Sequence, residues 1–125
     1  MKKTISTTKA PAAIGPYSQA IEINNMIYTS GVIPIDPENG NVVTGDIKVQ
    51  AERVLKSLSA LLEDCGTCMD KVVKTTVFIK NMEDFAVMNA VYAQYFTKDC
   101  PARSCVEVAR LPKDVLIEIE AIAYL

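Results

Sequence analysis

Cys100-Pro-Ala-Arg-Ser-Cys-Val-Glu-Val-Ala-Arg110 and the stretch after it, Leu111-Pro-Lys-Asp-Val-Leu-Ile-Glu-Ile-Glu120, read as two successive strands near the end of the chain. Proline is tolerated at the first residue of a strand, so Pro101 opens the earlier one, at about 102–109. Side chains alternate between faces. Arg103, Cys105 and Glu107 therefore share one face, and Ser104, Val106 and Val108 share the other. The arginine fork suits a small carboxylate held by two parallel hydrogen bonds. The competing reading is a surface arginine paired with Glu107 or with a glutamate of the last strand, at about 115–123. Glu118 and Glu120 share a face of that strand, among Ile117, Ile119 and Ile122. A carboxylate in partly apolar surroundings has a raised pKa, which suits proton transfer. The alternative is a pair of solvated glutamates.

Working back from these strands, residues 82–97 predict a helix, with Phe85, Met88, Tyr92, Tyr95 and Phe96 along one stripe and Asn81 as its cap. The stripe reads as core. Asn89 interrupts the apolar positions and faces either a pocket or a hydrogen-bond network. Lys71–Lys80 reads as a strand with Val73, Thr75, Val77 and Ile79 on one face. Residues 46–64 carry the clearest helical period, in Ile47, Ala51, Val54, Leu55, Leu58, Leu61 and Leu62. Asp46 caps that helix and Gly66 ends it. Ile21–Asn24 and Met26–Ser30 form a hairpin about Asn24-Asn25, and Ile33–Ile35 extends its second strand. Asp36-Pro-Glu-Asn-Gly40 is a turn. Residues 1–16 read as an extended arm, because Pro11 and Pro16 block helix. The order β-β-α-β-α-β-β predicts an α+β fold. Two helices pack on one face of a mixed sheet, in one domain over residues 1–125.

Composition narrows the function. The chain has 125 residues, half of them hydrophobic, and a net charge of −2. No basic stripe is present, so nucleic acid is not an expected partner. No apolar run approaches the ~20 residues of a membrane span. Lys2 and Lys3 are followed by no apolar stretch, so no secretory signal is read and the expected location is cytoplasmic. The sequence contains no histidine. That removes Ser-His-Asp and Cys-His nucleophilic chemistry, the commonest metal ligand and the usual general base. Cys65-Gly-Thr-Cys68 has the spacing of a redox pair or of half a zinc site. It follows a helix, however, whereas a reactive thiolate profits from a helix N-terminus. Cys100 and Cys105 make a poor second half-site. The pair reads as two reduced residues at a helix end, and neither metal nor cofactor is expected.

Several short blocks carry a resemblance to a known family. Pro101-Ala102-Arg103-Ser104, Val106 and Ile117-Glu118-Ile119 resemble the C-terminal signature of the RidA (YjgF/YER057c/UK114) family, the reactive intermediate deaminases. Gly15-Pro16-Tyr17-Ser18-Gln19-Ala20 resembles its N-terminal motif. Tyr28-Thr29-Ser30-Gly31 and Val73-Lys74-Thr75-Thr76-Val77-Phe78 resemble its intermediate blocks. The resemblance runs from about residue 4 to the C-terminus.

It implies the same α+β fold, shared with a small chorismate mutase-like group, and a homotrimer with clefts between subunits. It implies cofactor-independent hydrolysis of 2-imino and enamine acids, such as 2-aminoacrylate, to 2-keto acids and ammonia. Arg103 would bind the carboxylate, Glu118 would activate water, and Tyr17 would assist. Ser30, Gly31, Asn89 and Cys105 would line the cleft, Cys105 through shape and main-chain groups. Val32 stands where the family commonly has Gln, which bears on substrate preference. Cys65 and Cys68 lie outside the family pattern. Two other functions are compatible with the residues: a 2-keto acid-binding module without turnover, and an RNA-directed role of the kind named for some relatives. A chaperone-like or scaffolding role is a third alternative.

Overall fold

The computed structural model describes residues 1–125. A six-stranded sheet carries two helices on one face. The strands are β1 (Lys3–Ile5), β2 (Ala20–Ile23), β3 (Met26–Thr29), β4 (Val72–Ile79), β5 (Ala102–Glu107) and β6 (Ile117–Tyr124), and the helices are α1 (Ile47–Asp64) and α2 (Phe85–Tyr95). The sheet order is β1-β2-β3-β6-β4-β5. Only β4 and β5 run parallel, joined through α2, and every other pair is antiparallel. The expected mixed sheet with two helices on one face is therefore the observed one.

Sequence chemistry accounts for the boundaries. Asn24 and Asn25 both adopt positive φ, 52° and 60°, as the two-residue β2–β3 hairpin requires. The Asp46 side chain caps α1 by accepting the Val49 N–H at 3.1 Å. Gly66, at φ 88°, ends that helix in the left-handed region. The Asp36–Gly40 turn closes with the Gly40 N–H donating to the Asp36 carbonyl at 2.8 Å.

Four expectations change. Val73 does not share the buried face of Thr75, Val77 and Ile79, because the β4–β6 register shifts between Val72 and Lys74 and leaves Val73 42% exposed. The arm is not wholly unpaired, because Lys3–Ile5 adds an edge strand against Ala20–Glu22. Three residues are too few to show a period. Asn81 does not cap the second helix through its side chain. A 3-10 turn, Met82–Asp84, precedes α2, and the Glu107 carboxylate accepts the Met82 N–H at 2.8 Å. Ile33–Ile35 does not continue β3. That strand stops at Thr29, and only isolated bridges follow, Val32 with Ile119 and Ile35 with Val42.

The core is a cluster of 23 buried residues between the helices and the sheet. Ala51, Val54, Leu55, Leu58 and Leu62 of α1 lie against Ile27, Val77, Ile79, Ile117 and Ile119, all buried. Hydrophobic burial of this kind is the main favourable term in folding. Buried Gln50 ties α1 to the sheet by accepting the Leu116 N–H at 2.8 Å, just before β6. Alternation along β6 decides a question the sequence left open. Ile117 and Ile119 are fully buried under the helices, whereas Val106 of β5 faces the uncovered side and is 42% exposed.

Candidate active site

Arg103 sits on β5, the edge strand, on the helix-covered face. It pairs in register with Thr75 of β4, a fully buried residue. α2 passes over this edge, and Phe85, Asn89 and Tyr92 follow at i, i+4 and i+7, hence on one side of the helix. The guanidinium donates to the Asn89 side-chain oxygen at 2.7 Å. Its central carbon lies 4.7 Å from the Tyr92 ring centroid and 5.4 Å from that of Phe85, within cation–π range. The Tyr92 hydroxyl is fixed by a 2.7 Å hydrogen bond to the Thr75 hydroxyl. No carboxylate pairs with Arg103. Glu107, the expected competitor, is engaged at Met82, and the ion pairs of the chain are Lys9–Asp64 and Arg110–Asp114. A guanidinium has five N–H donors in a fixed fork. Here a neutral amide and two rings orient it without neutralising it. Cys105 lies two residues on, half-buried on the same face, and burial raises its thiol pKa against a smaller lowering by Arg103. It is a neutral wall, as expected.

Glu118 sits on β6 with its side chain on the other face of the sheet, in register with Phe78. The local backbone of the β3 side makes room for it. Tyr28 pairs with Ile122 and Val32 pairs with Ile119, so four residue steps on one side oppose three on the other. The extra residue is a bulge at Ser30-Gly31, a device that re-aims side chains. On its flank the Thr29 hydroxyl, not a carbonyl, accepts the Ala121 N–H at 2.9 Å. Beyond it, Val32 and Ile119 exchange main-chain hydrogen bonds at 2.8 and 3.1 Å.

The Glu118 carboxylate fills the space where residue 31 would carry a side chain. A Cβ at Gly31 would lie 1.7 Å from Glu118 Oε2 and 2.6 Å from its Cδ. Burial raises the Glu118 pKa, and the Glu120 charge adds to the rise. Ser30 donates its hydroxyl to the Ser18 carbonyl at 2.6 Å and keeps lone pairs to accept from a ligand. Tyr17, 51% exposed, accepts the Ile14 N–H at 3.2 Å, and its O–H remains available. Tyr17, Ser30 and Gly31 border one cavity.

The expected site residues thus form two groups. Arg103, Asn89 and Cys105 gather at the β5–α2 edge; at the β3–β6 bulge Glu118 meets Gly31, which also borders a cavity with Tyr17 and Ser30. β4 lies between the two strands, and the two key side chains project from opposite faces. Thr29, Phe85 and Tyr92 are structural participants that the sequence reading did not assign to the site. Aromatic spacing marked Phe85 and Tyr92 as core, and their i, i+4, i+7 relation to Asn89 was the available signal. Val32 is 5% exposed and belongs to the core, so its side chain contributes a wall and not a polar contact. Cys65 and Cys68 lie at the α1 end with free thiols, and burial pushes Cys65 up to about 11. That is opposite to the lowered value of a reactive thiol.

Comparison with known proteins agrees with this architecture. The Endoribonuclease L-PSP family model matches residues 7–125. A RutC family protein of Pyrococcus abyssi is 58% identical, over 98% of this chain and 97% of its own. The 2-iminobutanoate/2-iminopropanoate deaminase of Escherichia coli K12 is 55% identical, over 98% of each chain. A crystal structure from Yersinia pestis, assigned to the conserved Rid protein family, superposes with a TM-score of 0.96 at 51% identity and full coverage of both chains.

Proposed function

The chain belongs to the RidA family, the group matched by the Endoribonuclease L-PSP model, and from that premise we propose that it hydrolyses 2-imino acids to 2-keto acids and ammonia. The observation that carries the reading is the state of Arg103: oriented by Asn89, Tyr92 and Phe85, yet with no acid of its own chain. A charge-assisted contact to a substrate carboxylate is worth roughly 1.5–3 kcal/mol.

Chemistry then needs one proton-transfer group. Glu118 takes a proton from water as the oxygen attacks the electrophilic imine carbon, giving a carbinolamine. The same carboxyl returns that proton to the nitrogen. The ionised Glu118 then takes the carbinolamine hydroxyl proton as the C=O forms and delivers it to the nitrogen as the C–N bond breaks, so ammonia leaves and the carboxylate is regenerated. A raised pKa brings the two protonation states of Glu118 closer in energy near neutral pH, which suits both transfers. The imine already hydrolyses spontaneously, so positioning supplies much of the remaining acceleration. Tyr17 donates, and Ser30 accepts, at the polar end of the ligand.

The separation of Arg103 from Glu118 supports a cleft shared between subunits of a homotrimer. The uncovered face of the sheet carries Tyr28, Val106 and Tyr124, exposed by 41, 42 and 45%. An apolar patch of this kind is a typical association surface. A cyclic assembly brings the β5 edge of one subunit to the β3–β6 bulge of the next.

The direct test generates 2-iminopropanoate with an amino-acid oxidase in the presence of a nucleophilic trap and measures how far the protein suppresses trapping. Wild type suppresses it, and Arg103→Ala loses most of the effect while its circular dichroism is unchanged. Wild-type hydrolysis by Arg103→Ala overturns the assignment.

A further inference from the structure

Gly31 has two neighbours. On one side is the Glu118 carboxylate. On the other is a cavity of about 260 Å³, walled by Ile14, Val32, Ile33 and Leu61.

Apart from Tyr17, whose O–H is free, the uncharged polar side chains of this cavity are already committed. Gln19, 6% exposed, donates its amide to the Thr7, Ala10 and Pro11 carbonyls at 3.1, 3.3 and 2.7 Å. Its oxygen accepts the Thr7 N–H at 2.7 Å. The same bonds hold the arm in place as the outer wall. The Ser30 hydroxyl donates to Ser18. Lys113 is the only charged residue at the cavity, and it is exposed at the rim. Apart from the Tyr17 hydroxyl and the rim ammonium of Lys113, the cavity therefore offers apolar surface and no free donor, an arrangement that rewards hydrocarbon and penalises a buried charge.

The C2 carbon of a 2-imino acid carries a carboxylate, a nitrogen and a side chain. Arg103 takes the first, and Glu118 works at the carbon and nitrogen. The side chain has the third direction left, and the Glu118 carboxylate and the cavity both adjoin Gly31, which has no side chain to stand between them. We propose that this cavity is the side-chain subsite, and that the preferred substrates are 2-imino acids with unbranched or lightly branched apolar side chains longer than ethyl. The proposal rests on the deaminase reading. A methyl group, as in 2-iminopropanoate, leaves most of such a volume unfilled. Each methylene buried adds about 0.8 kcal/mol, or roughly fourfold in kcat/KM when the contact is kept in the transition state.

The experiment compares kcat/KM for imines generated in place from alanine, 2-aminobutyrate, norvaline, norleucine and glutamate. In wild type, kcat/KM is expected to rise along the first four and to be low for the glutamate imine. Ala12→Phe, at an exposed arm position on the cavity wall, is expected to abolish the rise and leave the alanine imine unchanged. Ile33→Ala, which enlarges the cavity, is expected to move the optimum to a longer chain. Equal values along the series with no effect of either variant overturn the subsite and leave the deaminase reading standing. A glutamate imine faster than norvaline's also overturns it, in favour of a distal carboxylate at Lys113. Hydrolysis of none of the five overturns the deaminase reading itself, and the subsite with it.

Discussion

Arg103 and Glu118 project from opposite faces of one sheet, with β4 between their strands. A flat molecule such as a 2-imino acid does not touch both groups through a sheet. If the two act together, they come from different copies of the chain. Arg103→Ala and Glu118→Gln, each inactive alone, should then complement each other when unfolded together and reassembled. In a random mixture each cleft draws Arg103 from one subunit and Glu118 from its neighbour. Roughly a quarter of clefts are intact, so about a quarter of wild-type activity returns. Activity in the mixture no higher than in the separate variants, with mixed assemblies confirmed by native mass spectrometry, would refute a shared cleft.

Gly31→Ala tests the close approach of Glu118 with a single methyl group. The new Cβ would overlap Oε2 at 1.7 Å, yet the overlapping atoms belong to the end of a flexible side chain. Gly31 is not among the positive-φ glycines, so alanine adds no backbone strain there. The carboxylate swings away and the fold persists. Turnover should fall by about 10²-fold or more, the scale of losing a positioned general base, with the melting temperature near wild type. Wild-type kcat in Gly31→Ala would show that Glu118 does not work from this position.

Much of this arrangement was legible in the chain, and the losses have physical reasons. The two long helices and β4 show clear periods, because each packs one face on the core. Alternation in 101–110 placed Arg103 and Cys105 on one face, as observed. It left open which sheet face the helices cover, since a period of two defines faces without naming them. Sequence also could not show the bulge at Ser30-Gly31, because register depends on pairing between strands distant in the chain. Without that bulge the Glu118–Gly31 contact is invisible. The edge strand Lys3–Ile5 was missed for a related reason: its pairing with Ala20–Glu22 specifies it, and its composition does not.

The pKa of Glu118 predicts two pH effects of definite sign. Burial and Glu120 raise it above its ordinary 4.5. The acid limb of kcat/KM should therefore lie above that of a solvated glutamate, and Glu120→Gln should shift it down. Burial is the larger cause, so the shift should be only partial. Stability follows the same displacement. Below the unfolded pKa both states hold the proton and Glu118 imposes no penalty. As pH rises past the folded value, the folded state carries an ionised, half-buried carboxylate and the penalty is complete. Glu118→Gln should melt higher than wild type near pH 7 and lose that advantage toward about pH 4. An advantage that grows on acidification would contradict the raised value.

Thr29 supports the bulge from beneath, which makes it a positioning residue with a testable signature. Its hydroxyl accepts the Ala121 N–H at 2.9 Å, where a regular ladder would use a carbonyl. Thr29→Val keeps the shape and removes the acceptor, leaving a partly buried N–H unpaired at about 1–3 kcal/mol. That N–H lies on β6, three residues from Glu118, next to the stretch that fixes how the carboxylate meets Gly31. Loosening it should lower kcat several-fold while KM, which reports the Arg103 contact, stays near wild type. Thr29→Ser restores the acceptor and should restore kcat. A purely structural role predicts a lower melting temperature in Thr29→Val with kcat intact well below the melt. Loss of kcat in Thr29→Val and its recovery in Thr29→Ser, both measured at 25 °C on folded protein, would assign the hydroxyl to the alignment of Glu118.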